Sequence, residues 1–193
     1  MKKALIGAGG FAREIMAHMD LKMVCFVDDK YAIDDILPIS KFDPDMYEVM
    51  VAIGDGKLRR DMVNKLPKNT KYFSFIHPSA TIMGRDIKIG EGSIICANSI
   101  LTTNIEIGDH CHLNLSTTIG HDCVIGDFFT TAPGVNISGN CEIGDFVYLG
   151  SNSSIKQKIK ICDEAIIGLN CGVVKNIDKK GTYVGTPAKL MKI

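Results

Sequence analysis

The chain has 193 residues, enough to bury a real core in one ordinary domain or two small ones, which excludes a disordered segment. Lysine plus arginine and aspartate plus glutamate each number 22, so no net field favours a polyanion, and nucleic acid and acidic membrane surfaces are disfavoured as partners. The opening MKKALIGAGG holds neither a signal-peptide core nor a membrane span, so a cytoplasmic protein with no membrane partner is expected, its seven cysteines reduced.

Residues 1–75 read as alternating strands and helices. ALIGA, MVCFV, YEVMVAI and KYFSF have strand character, while FAREIMAHM and KLRRDMVNKL read as helices, which together predict a small parallel α/β sheet of Rossmann-like type. Gly7, Gly9, Gly10 and Ala12 form G-x-G-G-x-A between the first strand and helix, and Asp28 follows Gly9 by 19 residues. Glycines there let a phosphate approach the backbone, and the helix N-terminus favours its charge. A tight strand-to-helix turn without a ligand gives the same pattern, so the motif by itself leaves both readings open. So few strands argue against a full dinucleotide site and against hydride chemistry.

From Ile89 the pattern changes to a strict period of six. Ile89, Ile95, Leu101, Ile107, Leu113, Ile119, Ile125, Thr131, Ile137, Ile143, Leu149, Ile155, Ile161, Ile167 and Val173 keep one register, and fourteen of the fifteen are Ile, Leu or Val. Neither a helical period of 3.6 nor simple alternation produces this, so residues 76–193 are predicted to be a solenoid of short strands. Four positions after each aliphatic residue the side chains are compact, as at Ser93, Ser99, Cys111, Thr117, Cys123, Cys141, Ser153 and Cys171, implying a second inward row. These cysteines are therefore expected to be packed free thiols. Glycines follow the aliphatic position at Gly90, Gly108, Gly120, Gly126, Gly144, Gly150 and Gly168, where backbone freedom at a bend is the expected reason. The stretch from Ile76 to Lys88 slips by one residue against the later register and should form an irregular first coil.

Among five histidines, His18 reads as a structural helix residue and His77 lies at the domain junction. His110 and His112 flank inward Cys111, which points away from both, so no zinc site and no other metal is expected. His121 follows Gly120 at a corner, in TTIGHDCVIG, with Asp122 beside it. Histidine titrates near neutrality and a neighbouring carboxylate raises its basicity, the properties of a general base.

The repeat [LIV]-G-x-x-[small]-x resembles the hexapeptide-repeat acyltransferases, and this implies a left-handed parallel β-helix with three hexapeptides per coil and about five coils of 18 residues. The whole chain, through GAGG, VDD, VAIGD, HDCVIG and GTPAK, resembles the NeuD/PglD-type sugar acetyltransferases. That resemblance implies a homotrimer using acetyl-CoA to N-acetylate a 4-amino-deoxy sugar carried on a nucleotide, with His121 and Asp122 catalytic. The alternatives are O-acetylation of sialic acid or another sugar, and a non-catalytic nucleotide-sugar-binding scaffold.

In this reading the nucleotide sugar lies against Gly9, Gly10, Phe11, Asp28, Asp29, Gly54 and Asn114. Pantetheine lies between the ladder of His121 and Gly139 on one subunit and that of Ser151 and Leu169 on its neighbour, with Lys189 of the GTPAK tail beside it. Three residues depart from the family pattern. Asp122 stands for a longer Glu, Phe11 for a His, and Thr130 for a second His near the thioester, where a hydroxyl would donate a neutral hydrogen bond.

Overall fold

The structure is a computed structural model that describes residues 1–19 and 22–191. The N-terminal unit is a five-stranded parallel sheet of order β3-β2-β1-β4-β5, formed by β1 (Lys2–Ile6), β2 (Val24–Val27), β3 (Ile36–Pro38), β4 (Tyr47–Val51) and β5 (Lys71–Tyr72). Helices α1 (Gly10–Met19) and α2 (Gly56–Lys65) complete it. Leu5 and Ile6 on β1 and Met50 and Val51 on β4 are wholly buried, as central strands of a parallel sheet must be. Strand β3 was not expected from the sequence: it has three residues and ends in a proline, which an edge position tolerates. Asp55 caps α2, its Oδ1 accepting from the Lys57 and Leu58 amides at 2.9 Å.

Backbone pairing passes from this sheet to the solenoid at Ser74. The Phe73 amide still bonds the Val49 carbonyl at 3.0 Å, while the Phe75 amide bonds that of Ser93 at 2.9 Å. Thereafter the chain winds through three parallel sheets. In coil order the first face runs through Ile94–Ile95, His112–Leu113, Thr130–Thr131 and Tyr148–Leu149. The second runs through Ile100–Leu101, Thr118–Ile119, Asn136–Ile137 and Ser154–Ile155. The third runs through Ile105–Ile107, Cys123–Ile125, Glu142–Ile143 and Lys160–Ile161.

Residues 18 apart pair from Leu113 with Ile95 to Val173 with Ile155. In the first coil Ile82 pairs with Leu101, 19 apart, but Ile89 pairs with Ile107, 18 apart, so the expected slip is one extra residue in the corner between Ile82 and Ile87. The aliphatic row from Ile95 to Val173 is buried, and so is the second row of Ser93, Ser99, Cys111, Thr117, Cys123, Cys141, Ser153 and Cys171. All seven cysteines are free.

The glycines after the aliphatic row have a different reason from the one expected. None of them has a positive φ; the left-handed residues lie two positions further on, including Asn98, His110, Asp122, Phe128, Asn140 and Phe146 at φ of 54 to 60°. What the glycines supply is clearance between coils. A Cβ on Gly108 would lie 2.2 Å from Asp127 Oδ1, and one on Gly126 would lie 2.2 Å from Asp145 Oδ1. Those carboxylates form a ladder along the corner from third to first face: Asp127 accepts from the Asp109 amide and Asp145 from the Asp127 amide, each at 2.8 Å. Each corner amide is thereby satisfied from the next coil.

The N-terminal unit covers the early coils of the first face. Ile94, His112 and Thr130, which point outward from that face, are buried beneath it, while Tyr148 and Ile166 one and two coils further on are 39% and 44% exposed.

Candidate active site

His121 occupies the corner from second to third face with its side chain 56% exposed. Its Nδ1 lies 2.6 Å from Asp122 Oδ2, and Asp122 Oδ1 accepts from Asn104 Nδ2, one coil away, also at 2.6 Å. The hydrogen bond from Asn104, then that from His121, holds the Asp122 carboxyl below its ordinary range. A carboxylate only accepts, so Nδ1 carries a proton, and in the neutral imidazole the lone pair is then on Nε2. The ring lies across Gly139 of the next coil: a Cβ there would sit 2.6 Å from Nε2. The glycine at 139 is what lets the imidazole lie flat along the edge with Nε2 open.

Ser151 and Leu169 stack along a different edge, the corner from first to second face, where the Asn170 amide bonds the Ser151 carbonyl at 2.8 Å and Leu169 is 71% exposed. The GTPAK tail folds against this ladder. Thr186 Oγ1 donates to the Asn170 carbonyl at 3.3 Å and the Ala188 amide to that of Gly172 at 2.8 Å. Lys189 lies exposed on the short strand Lys189–Leu190, antiparallel to Gly181–Val184. Asn114 and Leu115 lie lower in the same corner. Phe11 packs in the cluster that contains Leu115, and its ring centroid is 4.9 Å from that of His112. The Gly-rich turn, Asn114, Ser151 and Leu169 thus share one edge of the prism, and His121 with Gly139 occupies the next, across the second face.

The C-terminal ends of β1, β2 and β4 enclose a cleft of about 380 Å³ that includes Gly7, Val27, Asp28 and Ile53. It lies where the strand order reverses about β1, the usual ligand position of an open parallel sheet. Gly9 and Gly10 are exposed at the start of α1. Asp28 lines the cleft and is ion-paired with Lys65, whose ammonium lowers the carboxyl's pKa. Asp29, expected to contact the ligand, also holds its own loop, its Oδ1 accepting from the Ser40 amide at 3.0 Å.

Thr130 also differs from its expected role. Its hydroxyl donates to the Gly54 carbonyl at 3.1 Å and accepts from Arg59 at 2.9 Å, buried between the two units, so its proton is not free for a thioester. Gly54 contributes that carbonyl, which Arg59 shares at 3.2 Å.

Arg59 is the residue that sequence reasoning missed. Its guanidinium is wholly buried and reaches the carbonyls of His110 at 2.8 Å, Ile53 at 2.6 Å and Phe128 at 2.8 Å, as well as His112 Nδ1 at 3.1 Å. Burial lowers its pKa to about 10, which leaves it charged at neutral pH. The available signal was helix phase: Arg59 shares a face with buried Met62 and Leu66, whereas Arg60 is exposed. Burial also pushes His110 down to about 4 and His112 well below 6.5, so both imidazoles are neutral at pH 7 and serve packing. His18 and His77 meet edge to face, ring centroids 5.0 Å apart, where α1 touches the first coil. Among the described residues no group of three His, Cys, Asp or Glu side chains is arranged to hold a metal ion.

A small α/β unit followed by a solenoid of six-residue strands is the fold of hexapeptide-repeat acyltransferases of the left-handed β-helix class. Residues 2–66 match the PglD N-terminal domain. WeeI from Acinetobacter baumannii AYE is 32% identical, covering 99% of this chain and 100% of its own, with a TM-score of 0.89. The acetyltransferase domain of PglB from Neisseria gonorrhoeae FA1090 is 25% identical over 98% of this chain and 99% of its own, with a TM-score of 0.87. PerB from Caulobacter crescentus, solved with CoA and GDP-perosamine, is 23% identical over 100% of this chain and 98% of its own and has the same fold, TM-score 0.89. No curated protein matches in sequence. The chain belongs to the PglD-type sugar acetyltransferases.

Proposed function

We propose that this protein transfers the acetyl group of acetyl-CoA to the amino group of a nucleotide-linked 4-amino-deoxy sugar, with residues 1–75 holding the nucleotide and residues 76–193 the chemistry. The observation that carries this reading is the His121–Asp122 pair over Gly139, which leaves Nε2 as an open base on an exposed edge. The neutral sugar amine adds to the thioester carbonyl, Nε2 takes a proton from the nitrogen, and Asp122 stabilises the imidazolium that forms. The C–S bond breaks as the tetrahedral adduct collapses, the imidazolium returns its proton to the departing sulfur, and CoA leaves as its thiol. The PglB domain has been solved with acetyl coenzyme A, and PerB with CoA and a nucleotide sugar together, which supports both substrates.

The base and the Ser151/Leu169 edge lie on opposite sides of the second face, whose outward row above Ile100 runs through the compact residues Thr118, Asn136, Ser154 and Gly172. A closed ring of copies with these faces inward brings the His121 corner of one subunit against the Ser151/Leu169 corner of the next. This favours a homotrimer with acetyl-CoA between subunits. Light scattering should give three times the chain mass, and a monomer at micromolar concentration would contradict the composite site.

No helix among the described residues is long and apolar enough to cross a membrane. A cytoplasmic setting suits the dependence on acetyl-CoA and the free thiols.

The function is tested by following thiol release from acetyl-CoA with a panel of amino nucleotide sugars and free sialic acid. Release is expected with an amino nucleotide sugar, the product carrying an acetamide. Release with sialic acid alone would replace the reading with O-acetylation, and release with neither would leave a non-catalytic binding protein.

A further inference from the structure

The joint between the two units combines contacts of different kinds. Leu5 of β1 and Ala12 and Ile15 of α1 share a buried cluster with Ile94 and Cys96 of the solenoid's first face. Such packing resists separation, but it is non-directional and does not fix how far one unit slides or turns on the other. Further along the first face the units part. Gly54 and Lys57 line one side of a groove of about 540 Å³, and Phe146, Tyr148 and Ile166 line the other. The Lys57–Glu164 ion pair at 2.7 Å bridges this groove, with side chains 56% and 33% exposed, a contact of the surface kind that contributes little.

Arg59 is the directional element. Its Nη1 donates to the Ile53 and Gly54 carbonyls in the loop after β4. Its Nε and Nη2 donate to the solenoid, reaching the carbonyls of His110, Phe128 and Phe129 and the Thr130 hydroxyl on two successive coils. One planar group thus ties both units at fixed angles. Ile53 lines the cleft at the ends of β1, β2 and β4, so the loop that Arg59 holds is a wall of that cleft. The strand His112–Leu113 beside it leads directly into Asn114, on the corner where Ser151 and Leu169 stand in later coils.

The guanidinium is wholly buried, and among the described residues no carboxylate lies within ion-pairing distance of it. Stability alone does not call for this arrangement, because packed apolar side chains of the same volume often hold two surfaces as well as a buried charge or better. What the fork adds is register. Resting on the nucleotide-sugar reading above, we propose that Arg59 is a positioning residue: by fixing the nucleotide-binding unit on the first face, it sets where the sugar amine arrives along the prism edge. It acts through the loop of Ile53 and Gly54, being buried itself. A misplacement of about 1 Å at the reacting atoms costs up to roughly 10²-fold in rate, whereas the nucleotide's own contacts move with their unit.

The test compares Arg59→Lys, which keeps the charge and loses the fork, with Ile161→Ala, a core change on the third face away from the joint. Both should lower the melting temperature, so each is assayed well below its own transition with acetyl-CoA saturating. In Arg59→Lys, kcat for an amino nucleotide sugar should fall about tenfold to a hundredfold while KM stays within about threefold. In Ile161→Ala both constants should stay within about twofold, since neither substrate's position changes. If Arg59→Lys does not fold, Thr130→Val takes its place, removing one acceptor of Nη2 at constant volume, and a smaller loss confined to kcat is expected. Equal kcat losses in the joint and core variants, wild-type kcat in the joint variant, or a change confined to KM would overturn the proposal.

A second measurement needs no substrate. Nitroxides at Lys68→Cys and Val124→Cys, both exposed, report the distance between the units by pulsed electron resonance, in a Cys162→Ser background with labelled chains diluted into unlabelled ones. The distance distribution should broaden or shift in the joint variant and keep its wild-type form in Ile161→Ala; an unchanged distribution in the joint variant would overturn the register role. A distribution that responds to Arg59 in a chain unable to acetylate any amino nucleotide sugar would sink the proposed reaction and leave the register role standing. Acetylation whose kcat and distance distribution both ignore Arg59 would do the reverse.

Discussion

Replacing His121 by alanine is expected to lower kcat by about 10² to 10⁴, the range for loss of a positioned general base, while leaving acetyl-CoA affinity nearly unchanged. In the proposed reaction the imidazole meets the sugar amine as the new bond forms, whereas acetyl-CoA would be held mainly by backbone groups along two edges. The loss should therefore fall on kcat rather than on binding. Asp122→Ala should lose less, since Asp122 orients the ring and stabilises its charged form without touching the amine. Asn104 donates to Asp122 from the neighbouring coil, so the carboxylate is held whether or not the imidazole is present. Turnover close to that of the wild type in His121→Ala would remove His121 as the base. Steady-state kinetics with acetyl-CoA and an amino nucleotide sugar provide the measurement.

The second large effect is on stability. Arg59→Met should cost roughly 3–5 kcal/mol, since several buried acceptors lose their donor at about 1–3 kcal/mol each before relaxation. The methionine fills part of the space but leaves the carbonyls of Ile53, His110 and Phe128 and the Thr130 hydroxyl without their donor. At about 2–4 °C per kcal/mol for a chain of this size, the melting temperature should fall by on the order of 10 °C. Arg59→Lys should recover little, because one ammonium cannot span acceptors that the planar guanidinium reaches on several sides. A melting temperature within about 2 °C of the wild type in Arg59→Met would show that the units are held together by other contacts.

The inward rows were legible because the six-residue period is written in side-chain type: an aliphatic residue at one phase and a compact one four positions later, both buried as the spacing requires. The same period was silent on why a position is small. Gly108 and Gly126 looked like bends, yet they give clearance for the aspartates of the next coil, and the left-handed turns fall on Asn, His, Asp and Phe instead. His121 with Asp122 was legible because both partners are adjacent in sequence and at a corner. Asp29 was not, since the Ser40 amide that engages it arrives eleven residues later. Thr130 and Arg59 meet across 71 residues of chain, and only the docking of α2 on the first face brings them together. Local patterns gave most of the elements and the His121–Asp122 corner; the joint between the units is a tertiary property.

Binding of the remote nucleotide is expected to position the sugar amine at His121. This is tested most directly by comparing kcat/KM for one amino sugar presented on its nucleoside diphosphate and presented free, with acetyl-CoA saturating and CoA thiol release as the readout. The nucleotide-linked sugar is expected to be acetylated at least about a hundredfold more efficiently, since the free sugar forgoes the cleft contacts that orient it. Equal kcat/KM for the two forms would contradict it.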